Sequence, residues 1–215
     1  MGSVLRRVIG LGVAAIASLI VAGPASPSDE DVPPTFEMDY YNVSGKTWHD
    51  IWNSIKAGLQ KEKDLQGRYE GITSFTVNLG PESLVKNNTC SSDTIIITLN
   101  LVVKVPKLTT QTQDLGPQDR ECWAFYDRSL FDHEEWHVQI AVHDMQALRA
   151  KIRSSPNMSC GEIVQLVHQD VQNMLDEQNN YDAITSHGLE QWKAYGLDKP
   201  KESAYAAEVR NRCFG

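Results

Sequence analysis

FDHEEWHVQIAVHDM, residues 131–145, carries three of the six histidines of this 215-residue chain: His133, His137 and His143. Residues 133–137, HEEWH, form an HExxH motif. Residues four apart on a helix differ by about 40° in direction and about 6 Å in rise, so both imidazoles of the motif can reach one zinc ion. The stretch therefore predicts a helix with a metal site on one face.

Glu134 lies beside this histidine pair without being bound to the metal. From there it can take a proton from zinc-bound water, whose pKa the metal has lowered towards neutrality, and pass it to a leaving amine. The alternative is a solvated helix face that matches the motif by chance. The setting favours zinc, because the motif falls within a predicted helix between strands and a second helix.

His143 has the metzincin spacing, HExxHxxGxxH, but the position of the glycine is occupied by Ile140. Without a break in the helix, His143 lies about 9 Å along the axis from His137 and about 120° around it. The following residues, DMQALRAKI, keep helical periodicity. We therefore expect His143 to be a surface residue or a support for a ligand, and we expect the second helix to supply the third ligand.

His187 is the better candidate for that third ligand. It lies in YDAITSHG, residues 181–188, where Gly188 indicates a helix end that can present a side chain to a cleft. Glu162, Glu177 and His168 remain as alternatives on the second helix.

The order of the predicted elements indicates an α+β domain, because strands come first and helices follow. A short helix after the first strand carries Trp48, Trp52 and Ile55 and is expected to end at Gly58. The β-branched run TIIITLNLVVKV, stopped by Pro106, is expected to be a central strand. The predicted strands are 36–43, 69–79 and 94–105. The predicted long helices are 117–152, with breaks left open, and about 160–181.

Residues 1–25 have the pattern of a signal peptide: a basic pair, an apolar run and small residues. The alternative is an uncleaved N-terminal anchor, which would be the chain's one association with a membrane. Residues 26–35 are an exposed leader and residues 36–215 the domain. Without residues 1–25 the net charge falls from −8 to 18 − 28 = −10. This acidic chain gives no electrostatic case for nucleic acid or anionic membranes, and we expect a secreted or periplasmic protein.

The four cysteines, Cys90, Cys122, Cys160 and Cys213, are even in number and contain no Cys-x-x-Cys pair. In an exported chain this favours two disulfides over a metal site. The expected pairs are Cys90 with Cys122 and Cys160 with Cys213.

The sequence resembles the bacterial exported proteins of domain-of-unknown-function family 922, which are predicted zinc-dependent proteases. The resemblance covers roughly residues 37–195. Its specific part is the HExxH motif together with YDAITSHG at 181–188; weaker matches are YNVSG at 41–45, Cys90 before the β-branched strand and Trp123 before the motif.

The resemblance implies a zincin-like metallopeptidase with His133 and His137 as ligands, Glu134 as general base and His187 as third ligand. It also implies that Tyr181 stabilises the oxyanion and that Asp182 orients a ligand histidine; the alternative for both is a helix C-terminus with a packed tyrosine and a capping aspartate. The expected function is cleavage of a peptide or protein substrate with Zn²⁺. The competing hypothesis is a non-catalytic exported module that binds zinc or a peptide or cell-envelope partner.

Overall fold

The fold is α+β, as the order of elements in the sequence predicts. A computed structural model describes residues 5–8, 33–61, 71–80, 90, 95–185 and 204–214. The strands are β1 (Leu5–Val8), β2 (Thr35–Val43), β3 (Ile72–Gly80) and β4 (Ile96–Leu108), and the helices are α1 (Trp48–Lys61), α2 (Pro117–Arg153), α3 (Cys160–Thr185) and α4 (Ala204–Phe214), with a 3-10 turn at Thr112–Asp114. None of the helices in these ranges combines the length and apolar character that a membrane span requires.

The four strands form one sheet in the order β1-β3-β4-β2. The prediction of a central strand is confirmed, since β4 pairs antiparallel with β3 and parallel with β2. Side chains along β4 alternate between buried and half-buried positions, as expected for a sheet with one covered face. Of the predicted signal peptide the structure describes Leu5–Val8, which pairs antiparallel with residues 74–77 of β3.

Two predicted element ends are wrong. Strand β4 runs through Pro106 to Leu108. Among the described residues, its pairing with β3 reaches Lys104 and its pairing with β2 continues to Leu108, so Pro106 lies beyond the last described pair with β3, where a missing N–H is better tolerated. Helix α1 continues past Gly58 to Lys61. Gly58 serves close packing, since a Cβ there would lie 2.8 Å from the Tyr41 ring. The predicted start of β3 at residue 69 lies outside the described residues.

Helix α2 spans two hydrophobic clusters. Its N-terminal part packs with α1 and the end of β2, through buried residues that include Trp48, Ile55 and Trp123. Its C-terminal part packs with α3 against the covered face of β3 and β4, through residues such as Leu101 and Met145. The middle of α2, which carries residues 133–137, therefore lies between the two clusters.

The long helices have sequence-encoded ends. Pro117 occupies the first turn of α2 after Gly116, and Lys151 and Arg153 lie in its last turn, where they oppose the negative end of the helix dipole. A capping box begins α3: the Ser159 hydroxyl accepts from the Glu162 N–H at 3.3 Å, and the Glu162 carboxylate accepts from the Ser159 N–H at 2.7 Å. The predicted limits of α2 agree with the observed ones to within one residue. Helix α3 begins at Cys160 as predicted but continues about one turn past the expected end at Tyr181, to Thr185.

The cysteine pairing differs from the expected one. Cys90 pairs with Cys160 and Cys122 pairs with Cys213, with Cα separations of 5.4 and 5.6 Å. The first pair joins the segment before β4 to the start of α3, and the second joins α2 to α4. Two pairs at disulfide distance fit an extracellular or periplasmic protein.

Candidate metal centre

The HExxH motif lies in the uninterrupted middle of α2 with its three functional side chains buried. His133, Glu134 and His137 have exposures of 1%, 0% and 2%. The Nε2 atoms of the two histidines are 3.3 Å apart, and their rings are nearly perpendicular. The i, i+4 spacing therefore brings both ring nitrogens to one point, as the sequence predicts.

Asp182 of α3 completes a group that could hold a metal ion. Its Oδ1 lies 2.8 Å from the His137 Nε2 and 3.3 Å from the His133 Nε2, and the residue is 5% exposed. The three ligand atoms lie within 4.8 Å of one another. Burial acts to raise the pKa of Asp182, but hydrogen bonds to the two histidines and charge attraction to them together leave this pKa lowered.

The spacing of these atoms fits a small tetrahedral ion. Atoms bound at about 2.0–2.1 Å to such an ion are about 3.3–3.4 Å apart. Two of the three distances, both 3.3 Å, agree with this value. The third, 2.8 Å, is a hydrogen-bonding distance between Asp182 and His137. Two imidazoles and a carboxylate also form a donor set that zinc uses in enzymes.

Side chains of α3 hold this turn of α2 in place. The Tyr181 hydroxyl donates to the His133 carbonyl at 3.0 Å, and its ring stacks on the His133 imidazole with a centroid distance of 4.8 Å. One turn earlier, the Gln178 amide donates to the His137 carbonyl at 2.9 Å. Gln178 contacts His137 and the later residue Tyr181 contacts the earlier residue His133, so the two helices pack antiparallel. This packing places the turn of α3 that carries Asp182 beside the HExxH turn of α2.

Glu134 points towards the sheet and contacts β3. The Thr73 hydroxyl donates to the Glu134 Oε2 at 2.5 Å, and both side chains are buried. This bond fixes the direction of the carboxylate next to the histidine pair. Sequence reasoning missed Thr73 because it lies on a strand some sixty residues away and has no spacing relation to the motif.

The structure places the other candidate ligands away from this group. The His143 side chain is 80% exposed and its Nδ1 lies 3.2 Å from the Asp144 carboxylate. On α3, Glu162, His168 and Glu177 are exposed. His187, the predicted third ligand, lies outside the described residues.

Tyr181 and Asp182 are both buried at the end of α3, at 5% exposure each. The contact of Asp182 with both histidines goes beyond the orienting role that the family resemblance implies. The Tyr181 hydroxyl is engaged with a backbone carbonyl, so its role as oxyanion donor stays a prediction. Gln178 was missed by sequence reasoning, although it precedes these residues by one helical turn and so shares their face of α3.

Comparison with known protein families gives a match over most of the chain. A family described as "Bacterial protein of unknown function (DUF922)" matches residues 38–188. No curated protein matches the sequence, and no solved structure matches it. The matched range includes the HExxH turn, Asp182 and His187.

Proposed function

The chain belongs to the DUF922 family of bacterial proteins, and from that premise we propose that it is an exported zinc-dependent peptidase with a zincin-like centre. The observation that carries the proposal is the group formed by His133, His137 and Asp182, with Glu134 buried beside it. Its substrate would be a peptide or an unfolded segment of a protein.

His133, His137 and Asp182 would hold the zinc ion. Three protein ligands are the usual number in a catalytic zinc site, where the remaining position is left for water or substrate. When bound, zinc supplies a Lewis acid that polarises a carbonyl and lowers the pKa of a coordinated water to about 7. His187 stays the third ligand that the sequence predicts, and in the catalytic arrangement it would take the place of Asp182, because four protein ligands would close the site.

Glu134 is the proposed general base. It would accept a proton from the attacking water and return it to the leaving amine, a role that requires a carboxylate close to the ligand pair without serving as a ligand. Thr73 supports this role by holding the Glu134 Oε2 through a 2.5 Å hydrogen bond. The carboxylate therefore has one fixed direction, and less reorientation is needed during the reaction.

Replacement of Glu134 by glutamine tests the proposal. The amide has the same shape but takes up no proton, so Glu134→Gln is expected to retain one zinc per chain and to lose hydrolysis of an unfolded protein substrate by at least about a hundredfold. Glu135→Gln is the matched control, because Glu135 is adjacent and contacts Gln139 on the exposed side of the helix. If Glu134→Gln hydrolyses the substrate at the wild-type rate, Glu134 is not the general base.

Burial of the group favours a second candidate, a non-catalytic module with a structural zinc. His133, Glu134 and His137 are at most 2% exposed, and structural zinc sites are closed by four protein ligands. In that case the wild-type protein would bind one zinc and hydrolyse no peptide, and Glu134→Gln would change neither property.

A further inference from the structure

Gln178 is a buried polar side chain that contacts one histidine at both ends of its amide. It is 2% exposed and lies on α3. Its Nε2 donates to the His137 backbone carbonyl at 2.9 Å. Its Oε1 makes a short contact with Nδ1 of the His137 ring.

These two contacts assign a hydrogen to Nδ1 of the His137 ring. A carbonyl oxygen only accepts, so the NH₂ group of Gln178 must face the His137 carbonyl. The amide oxygen then faces Nδ1, and an oxygen there requires that Nδ1 carry a hydrogen. Nε2, which lies 3.3 Å from the His133 Nε2 and 2.8 Å from the Asp182 carboxylate, is then the nitrogen that would exchange its proton for a metal ion, since Nδ1 keeps its hydrogen for Gln178.

We propose that Gln178 is the positioning residue for His137: its amide oxygen fixes the tautomer and ring orientation that present Nε2 to the metal. The inference rests on the metal site of the proposed function but not on peptide hydrolysis. A ligand histidine whose other nitrogen donates to an oxygen is held in place and made more basic. Gln178 supplies that oxygen for His137 from a helix that also supplies Asp182.

The same amide could instead serve only to join α3 to α2 through the His137 carbonyl. Two substitutions separate these roles. Gln178→Glu and Gln178→Met both lose the N–H that donates to the carbonyl, but Gln178→Glu keeps an oxygen for Nδ1–H. A positioning role makes their zinc affinities differ, whereas a purely structural role makes them equal.

The experiment is zinc affinity of the full chain, measured by competition with a chromophoric chelator, together with thermal unfolding of each variant. Gln178→Met is expected to bind zinc about 10- to 100-fold more weakly than wild type, and Gln178→Glu is expected to recover most of that loss. Gln172→Met is the control, since Gln172 lies on the exposed side of α3 and contacts Asp176. Equal affinities of the Glu and Met variants would overturn the proposal.

A second measurement does not depend on how well the variants fold. Long-range ¹H–¹⁵N spectra of the zinc-loaded wild-type protein are expected to show Nδ1 of His137 protonated and Nε2 bound. The reverse assignment would overturn the inference while leaving the metal site intact. A wild-type chain that binds no zinc would overturn the proposed function and this inference together.

Discussion

Asp182→Asn tests the ligand that the structure adds to the HExxH pair. Asparagine keeps the size of the side chain and one oxygen, but it removes the negative charge that lies 2.8 Å from the His137 Nε2 and 3.3 Å from the His133 Nε2. Loss of a group that supports a ligand costs about 10- to 100-fold in metal affinity. Loss of a ligand charge should therefore cost at least about 100-fold.

This loss translates into a measurable change in stability. At a free zinc concentration 100 times its dissociation constant, the wild-type fold gains about 2.7 kcal/mol. At the same concentration a variant with 100-fold weaker binding gains about 0.4 kcal/mol. For a chain of this length 1 kcal/mol changes the melting temperature by about 2–4 °C. Zinc should therefore raise Tm by about 5–11 °C in the wild type and about 1–2 °C in Asp182→Asn.

The assay is thermal unfolding with and without zinc for wild type, Asp182→Asn and the control Asp176→Asn, whose residue is exposed on the same helix. The control should keep the full zinc-dependent rise in Tm. The reasoning is refuted if Asp182→Asn also keeps it. If His187→Ala then abolishes the rise, His187 is the third ligand, as the sequence predicts.

Two further predictions concern side chains close to the motif. Thr73→Val removes the hydroxyl that donates to Glu134. The rate of peptide hydrolysis should fall about 10- to 100-fold while the zinc content per chain stays unchanged. The control is Thr76→Val, at a half-buried position of the same strand, which should change neither the rate nor the zinc content. Burial raises the pKa of Asp127 from 3.8 to about 6. Between these two pH values the Asp127 carboxyl is protonated in the folded state and ionised in the unfolded state, so the free energy of unfolding falls as pH rises from about 3.8 to about 6. Asp127→Asn should therefore stabilise the protein by about 1–2 kcal/mol at pH 7, after a discount for solvent screening, and by little at pH 3.5. Chemical denaturation at the two pH values measures this difference, and an equal effect of the substitution at both would contradict it.

The parts of the fold that the sequence predicts well are those fixed by local pattern. Helix α2 is bounded in the sequence by Gly116-Pro117 and Ser154-Ser155-Pro156, and the observed helix begins at Pro117, ends at Arg153 and has none of the breaks that the sequence left open. Strand β4 is recognisable as central because its sequence is a long, β-branched and mainly apolar run. The error at Gly58 arises because a glycine needed for packing looks like a stop signal. The error at Pro106 arises because a proline is tolerated near a strand end, two residues beyond the last described pair with β3.

The site is predictable to the extent that it lies on one helix. Helix geometry pairs His133 with His137 and separates His143, which is exposed. The contributions of Asp182 and Gln178 depend on the register between two antiparallel helices, which no single-helix spacing reports. Cysteine pairing is likewise undetermined by sequence, because four cysteines allow three connectivities.

The central claim is that His133 and His137 hold one metal ion, and zinc content per chain tests it most directly. Elemental analysis of protein purified without chelator should give one zinc per chain in the wild type and in His143→Ala, whose side chain is 80% exposed. His137→Ala should retain essentially none. A wild-type chain without stoichiometric metal, or a His137→Ala chain that still holds one zinc, would contradict the claim.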